Sequence, residues 1–393
     1  MADPWLTLIG MPDDSAANLP PASRDAIDAA EVIFGGPRHL ELVGAAERGQ
    51  PWQIPFSIAP VLAAKGKKVV VLASGDPFWF GVGGSLSAHL TPADWIALPA
   101  PSTFSLVAGH LGWRMEDITC YGLHAAPFER LRRALAPKAR IICLVRDAAA
   151  PAALAKWLAE HGAGKATLHI CERMGGPRQR IRETIAGNFD LSDISAPVAV
   201  AVDLPADVGL SRASGLPDDV FAHDGQITKR PVRALTLSAL APCAGETLWD
   251  IGAGSGSISV EWCLAGGRAT AFEIKPDRAV NIRQNITDFG LGHLMQVIEG
   301  RSIEMIQDQP VPDAVFVGGG GNMVLFDVLF SLLPQGTRLV ANGVTLETEA
   351  LLANLQSLRG GTLTRIELAQ SQPLGTMRGW QSARPVVQWS VIL

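Results

Sequence analysis

Leu248-Trp249-Asp250-Ile251-Gly252-Ala253-Gly254-Ser255-Gly256-Ser257-Ile258-Ser259-Val260-Glu261 reads as a buried strand, a glycine turn and the start of a helix. Three glycines on alternate positions let the backbone turn tightly and let a ligand approach where no Cβ intervenes. The helix behind them offers free N–H groups and the positive end of its dipole to an anionic group. About twenty residues on, Glu273 follows the apolar-rich run Ala269-Thr270-Ala271-Phe272, where a second strand should end. An acid at that position suits the two hydroxyls of a ribose. The stretch therefore predicts a nucleoside cofactor.

Spacing separates the cofactor classes. The dinucleotide fingerprint G-x-G-x-x-G would put its third glycine at position 257, where this chain has Ser257. The pattern present is Asp250-x-Gly252-x-Gly254-x-Gly256, with Glu273 in register. It resembles motif I of the class I S-adenosylmethionine (SAM) methyltransferases, and a nicotinamide or flavin nucleotide is the alternative. In that fold the loop Glu299-Gly300-Arg301-Ser302 would meet the adenine, and Gly318, first of the run Gly318-Gly319-Gly320-Gly321, would border the methyl group. A flexible loop is the other reading of that run, but its placement after Asp313-Ala314-Val315-Phe316-Val317 favours an active-site rim.

The whole chain has 393 residues, more than one hydrophobic core usually serves, so two domains of about 200 residues are expected. A hydrophobic content of 48% with 18% charged residues describes a globular chain with ample core. The formal net charge of −5 argues against general nucleic-acid binding. The five cysteines are scattered and form no C-x-x-C pair, so neither a metal site nor a disulfide framework is signalled. No apolar run approaches the ~18 residues of a membrane span, and the N-terminus lacks the charge pattern of a signal peptide. No membrane partner and a cytoplasmic location are expected.

In the N-terminal half, strands are predicted at 5–9, 31–34, 67–73, 95–98, 140–145, 165–171 and 197–202, with helices between them. Ser23 is placed as the cap of a helix running to about Ala30. Such alternation argues for parallel or mixed sheets covered by helices. Gly75-Asp76-Pro77 falls at the C-terminal end of a strand, where α/β sheets bind ligands, although the same residues would also serve as a plain tight turn. Leu204 to Pro217 mixes Pro, Gly, Ser and Asp without periodicity and reads as a linker. The domain division is thus 1–203, a linker at 204–217, and 218–393. Beyond the linker, a helix is placed at 234–240, and six further strands follow the first, at 269–272, 294–298, 314–317, 337–341, 362–368 and 385–392.

The stretch Val71-Leu72-Ala73-Ser74-Gly75-Asp76-Pro77-Phe78-Trp79-Phe80-Gly81 resembles the G-D-P loop of the tetrapyrrole methylases. Pro101-Ser102-Thr103-Phe104-Ser105 matches their next motif, and Glu172-Arg173-Met174-Gly175-Gly176 through Glu183 a third. The resemblance implies an N-terminal fold of two α/β subdomains with SAM held near Gly75, Asp76, Pro77, Gly81, Ser102 and Thr103. Two segments depart from that family's pattern: Gly10-Met11-Pro12-Asp13-Asp14, where its opening turn is richer in glycine, and Tyr121-Gly122-Leu123-His124, where it carries His-Gly-Arg.

A tetrapyrrole-methylase domain followed by Thr228-Lys229-Arg230, the Asp250 turn and Phe316-Val317-Gly318-Gly319-Gly320 resembles, over essentially the whole chain, the decarboxylating C5,15-methyltransferases of corrin synthesis. The resemblance implies an α/β chain with one SAM per domain, a precorrin-type tetrapyrrole as substrate, and a homo-oligomer. The N-terminal domain would methylate C5; the C-terminal domain, class I and Rossmann-like, would methylate C15 and remove the C12 acetate carboxyl. No general acid is identified in the sequence, and the residues do not separate a metal-free from a cobalt-bearing substrate. The substrate's many carboxylates call for Arg and Lys. Lys229, Arg230 and Arg233 lie in a stretch without an acid between Asp224 and Glu246, and Arg378 and Arg384 in a tail without one after Glu367. Those five are the expected substrate contacts, beside a further cluster at Arg173, Arg178, Arg180 and Arg182.

Overall fold

The computed structural model describes residues 4–13 and 16–393, so Asp14 of the opening turn lies outside the described residues. The chain divides into two compact units. One comprises residues up to Ala126 together with Ala134–Gly209; the other comprises Pro127–Arg133 and Leu210–Leu393. Among the described residues, no helix is long and apolar enough to cross a membrane.

The first unit holds two sheets. Strands β1 (Leu6–Met11), β2 (Val32–Gly35), β3 (Gly49–Pro51), β4 (Val69–Ser74) and β5 (Trp95–Leu98) form an all-parallel sheet in the order β3-β2-β4-β1-β5. Its central strands are near-continuous apolar runs, as burial on both faces requires: Ile9, Val70 and Leu72 pack on one side, and Leu6, Leu8, Val69 and Val71 on the other. The second sheet is mixed, in the order β6-β7-β10-β8-β9. Its strands are β6 (Ile118–Gly122), β7 (Arg140–Leu144), β8 (Thr167–Glu172), β9 (Arg180–Ile185) and β10 (Val198–Asp203).

The second unit is built on one seven-stranded sheet. Strands β11 (Thr247–Ile251), β12 (Arg268–Glu273), β13 (Met295–Glu299), β14 (Ala314–Val317), β15 (Arg338–Gly343), β16 (Thr362–Ile366) and β19 (Val386–Ile392) take the order β13-β12-β11-β14-β15-β19-β16. The first five run parallel, and β19 runs antiparallel to both its neighbours. Alternate residues feed two cores. Leu248, Ala271 and Phe316 face one, and Trp249, Phe272, Val315 and Val317 face the other. Between β16 and β19, β17 (Ala369–Leu374) and β18 (Met377–Ser382) pair only with each other.

Several expectations need correction. Ser23 does not cap its helix: the helix starts at Pro21, a ring suited to its first turn, and Ser23 is buried inside it. The helix placed at 234–240 starts at Arg230, again with a proline in its first turn. The stretch 204–217 is packed rather than free, with Leu216 buried and Leu210 set against the core of the second unit.

Arg233 explains that packing. Its side chain is fully buried, and Nε donates to Glu261 Oε1 at 2.7 Å. Nη1 donates to Asp218 Oδ1 at 3.0 Å and to the Thr228 carbonyl at 2.5 Å, while Nη2 donates to the Leu216 carbonyl. Glu261 in turn accepts the Gly215 and Leu216 N–H groups at 2.6 and 2.9 Å. A buried guanidinium survives only when its donors are met, and here each nitrogen has a partner. The network clamps residues 215–218 onto two helices, Arg230–Leu240 and Ser257–Leu264. Removing one partner of a buried pair costs about 3–5 kcal/mol. Glu261→Ala should therefore lower the melting transition of the second unit by many degrees in calorimetry of the full chain. The transition of the first unit should stay in place.

Candidate active sites at the strand ends

In the second unit, the sheet brings the predicted cofactor residues to one edge. Gly252, Gly254 and Gly256 all have positive φ, at 68°, 62° and 70°. Gly252 could carry no side chain for a second reason: a Cβ there would lie 2.5 Å from the Gly319 carbonyl oxygen. The turn after β11 and the turn after β14 thus touch through bare backbone. Glu273, buried at the end of β12, accepts the Gly254 N–H at 2.8 Å through Oε2 and the Lys275 N–H at 3.0 Å through Oε1. Each oxygen keeps a lone pair for a further donor. Gly300 N–H donates to the Glu273 carbonyl at 3.0 Å, and Gly318 N–H to the Ile251 carbonyl at 2.9 Å, which ties both neighbouring loops to the same edge. Ser302 opens the short helix after Gly300. The Arg301 side chain is exposed and pairs with Glu304 at 3.5 Å.

Asp250 sits beneath this turn. Its Oδ2 accepts the Ser259 hydroxyl at 2.7 Å, while Oδ1 is buried with no partner among the described residues. Burial pushes its carboxyl up to about 6, and the Glu273 charge adds to the rise against the opposing Ser259 bonds. One residue outside the sequence reading completes the frame. Asn285 donates to the Ser255 carbonyl at 2.9 Å and exchanges hydrogen bonds with the Ala222 backbone, so it holds the glycine turn to the segment before the Arg230 helix. The Ser255 hydroxyl is buried and unpartnered. An orphaned carboxylate oxygen and hydroxyl beside a Cβ-free turn, with an acid at the next strand end, fit an adenosyl group bearing an amino acid. Asn285 carried no local signal, being one polar residue in an amphipathic helix.

The expected substrate cations divide. Arg233 is corrected: its donors are consumed inside the protein, so it cannot meet a substrate carboxylate. Lys229 is exposed, 3.8 Å from Asp218, and Arg230 is also exposed. Arg378 lies on the exposed β17–β18 hairpin, where it bonds Ser371, and Arg384 follows it, exposed. In the first unit, Arg180 and Arg182 both pair with the buried Glu172 and bond carbonyls of residues 192 and 193, so they too serve the fold.

The first unit has a second Cβ-free junction. Gly75 N–H donates to the Met11 carbonyl at 3.0 Å, and its own carbonyl accepts from Ala100 N–H at 3.1 Å. A Cβ on Gly10 would overlap the Gly75 carbonyl, and one on Gly75 would lie 2.9 Å from the Ser102 Cα. Three strand ends therefore close on one another, which brings Gly75-Asp76-Pro77 against Ser102 and Thr103. Asp76 Oδ1 accepts the Phe78 N–H at 2.8 Å, and Ser102 caps the Thr103–Leu111 helix through Ser105 N–H at 3.1 Å. Gly81 has no room for a Cβ against the Pro77 carbonyl, which fixes the loop's return.

Two measurements follow from the second unit's geometry. Gly252→Ala should abolish binding of S-adenosylhomocysteine there, whereas Gly319→Ala, whose Cβ would meet only the Gly252 carbonyl oxygen at 3.7 Å, should retain it. Asp250 has a folded value raised from 3.8 to about 6. The native state therefore binds more protons than the unfolded chain within that window, so the Asp250 contribution to stability is lost as pH rises through it. Asp250→Asn should raise the ligand-free melting temperature of the second unit at pH 7.5, and the gain should vanish near pH 4.

Comparison with known proteins covers both units. Residues 6–190 match the tetrapyrrole (corrin/porphyrin) methylases, and residues 219–393 match the precorrin methyltransferase domain. A precorrin-6Y C(5,15)-methyltransferase (decarboxylating) from Sinorhizobium sp is 44% identical over 99% of this chain and 97% of its own. One of the same name from Mycobacterium tuberculosis H37Rv is 37% identical over 98% of this chain and 99% of its own. A shorter relative from Pyrobaculum aerophilum, a probable cobalt-precorrin-6B C(15)-methyltransferase (decarboxylating), is 34% identical over 40% of this chain and 82% of its own. Similarity to the first two spans both domains in one order, and the chain belongs to the precorrin-6Y C(5,15)-methyltransferase (decarboxylating) family.

Proposed function

We propose that the chain methylates a precorrin twice and decarboxylates it, with one SAM bound in each domain. The second unit transfers the C15 methyl and releases the C12 acetate carboxyl as carbon dioxide; the first transfers the C5 methyl. The observation that carries this reading is the pair of Cβ-free junctions at the C-terminal ends of two separate parallel sheets, Gly252 against Gly319 and Gly10 against Gly75. The shorter Pyrobaculum relative, named for C15 methylation and decarboxylation alone, supports the separation of those steps from C5 methylation.

Bound SAM supplies an activated methyl group. The residues of the second unit bind and orient it: Glu273 takes the ribose hydroxyls, Gly300 to Ser302 border the adenine, and Gly318 leaves room at the methyl. Asp250 Oδ1 is available to an ammonium or to water held by one. In the first unit, Gly75, Pro77 and Gly81 give the close approach, with Ser102 and Thr103 across from them. Lys229 and Arg230, the exposed cations of the second unit's first helix, meet substrate carboxylates. Holding the acceptor carbon in line with the departing methyl supplies much of the rate.

Calorimetric titration with S-adenosylhomocysteine tests one site per domain. Wild type should show two sites. Glu273→Ala should weaken one by roughly 10–100-fold, the worth of charged hydrogen bonds, and leave the other. Asp76→Ala should do the converse. A single site, lost in Glu273→Ala alone, would remove the first unit from the proposed chemistry.

A further inference from the structure

Phe80 takes a backbone conformation that a phenylalanine resists. Its φ is 54°, in the left-handed region where a Cβ crowds the backbone and glycine is the natural occupant. The loop around it is firmly held. Asp76 Oδ1 accepts the Phe78 N–H, the Pro77 carbonyl accepts the Gly83 N–H at 2.8 Å, and Trp79 stacks on the buried Phe104 with ring centroids 5.2 Å apart. The chain must then turn into Gly81 and the helix Val82–Ser87, and residue 80 makes that turn. A glycine there would meet the geometry without strain. Strain retained beside a candidate binding site points to the side chain that it presents.

What is presented is an aromatic ring with one side open. Phe80 is 50% exposed although apolar neighbours flank it. Its ring lies 5.7 Å from that of Phe104, tilted by 52°, and rests against Gly122 at the end of β6, where a Cβ would come 2.9 Å from the ring. Phe104 directly follows Ser102 and Thr103 of the Cβ-free junction, whereas Gly122 ends a strand of the second sheet. The ring thus bridges from the junction to that strand end. The edge at Gly122 also gathers cations. β6 is parallel to β7, and β10 is antiparallel to both β7 and β8, so β6, β7 and β8 all run in one direction. Their C-terminal ends share an edge. It carries the exposed Arg146, bonded through Nε to the His124 carbonyl at 3.1 Å, and Arg173, itself at a φ of 46°. The strand order sets Arg173 three strand spacings from Gly122, roughly 14 Å.

A flat apolar face beside spaced guanidinium groups suits a broad conjugated ring that bears carboxylates around its periphery. Adenine is flat too, but it carries no carboxylates at its rim. We propose that Phe80 stacks on one face of the macrocycle when the precorrin is bound for C5 methylation. The strained φ aims the ring, and Phe104 and Gly122 hold it in place. Such a stack is made equally before and during methyl transfer, so it strengthens substrate binding and leaves the chemical step alone. The inference rests on the reading that the first unit methylates C5.

The test uses the full chain, SAM and the precorrin substrate, with Phe80→Gly, Phe80→Ala and Phe80→Tyr. For the glycine and alanine variants, KM in C5 methylation should rise about tenfold, the scale of one lost aromatic stacking contact, with kcat within about threefold. Phe80→Tyr keeps the ring and should stay within about twofold of wild type. Glycine relieves the backbone strain and alanine does not, so the first unit should melt at a higher temperature in Phe80→Gly than in Phe80→Ala. KM should nonetheless rise equally in both; a purely structural role would make KM follow the melting temperature. S-adenosylhomocysteine should titrate two sites with wild-type affinities in all three variants, and C15 methylation and decarboxylation should keep their wild-type rates. An unchanged KM in Phe80→Gly, a KM that tracks melting, or a weakened S-adenosylhomocysteine site would each overturn the stacking role. A wild type that delivers no methyl to C5 would instead overturn the reading beneath it.

Discussion

Both units depend on a contact that only glycine permits, the meeting of neighbouring strand ends through bare backbone. In the second unit, Gly252 faces the Gly319 peptide at a distance where a Cβ would clash. In the first, Gly10, Gly75 and the Ala100–Ser102 stretch close in the same way. The parallel sheet sets the strands side by side, and their turns must either splay apart or pack. Packing without side chains leaves peptide groups lining the edge, with N–H and carbonyl dipoles in fixed directions. The close approach also sets the neighbouring acid: Glu273 reaches the Gly254 N–H because the turn folds back over β12. Positive φ at three alternate glycines is the conformational cost of that edge, and residues with a Cβ resist it.

Electrostatics completes the second site at a further cost. Asp250 and Glu273 are both buried, on adjacent strands, and the Glu273 charge adds to the cost that burial sets on ionising Asp250. Ser259 stabilises one Asp250 oxygen, and the other goes without a partner. An ionised carboxylate buried with an unmet oxygen costs stability. Local strain and unmet polarity gather at this edge, whereas the clamp around Arg233, equally polar and equally buried, is fully satisfied. That contrast separates a site from a structural network when both consist of buried charge.

What was legible in the sequence follows from the same physics. Central strands such as β4 and β14 are buried on both faces, so they read as apolar runs. The strands missed in the larger sheets, β3, β6 and β9, all lie at sheet edges. β9 reads Arg-Ile-Arg-Glu-Thr-Ile, an alternation half of which faces solvent and which resembles a loop when taken one residue at a time. The exposed β17–β18 hairpin has even less apolar signal to offer. Glycine spacing pointed to the turn after β11 because positive φ is a local requirement, whereas Gly75-Asp76-Pro77 read on spacing alone also as a plain turn. Arg233 shows where locality ends. Its stretch contains no acid, yet Glu261 lies 28 residues later and Asp218 lies 15 earlier, and the fold brings both to it. A run of like charge in sequence is not a patch of like charge in space.

The clusters at Arg233 and His39 also show why burial alone does not assign a role. Arg233 holds residues 215–218 against two helices, so its position is explained by what it fastens. His39 likewise fastens: its Nε2 lies 3.3 Å from Ser74 Oγ and 3.2 Å from Arg38 Nη2, which ties the helix after β2 to the end of β4. Burial and the neighbouring guanidinium raise the energy of its protonated form, so it holds these contacts as a neutral ring. The sheet places it there through the register β2–β4–β1, which sets the ends of three strands within reach of one another on one edge.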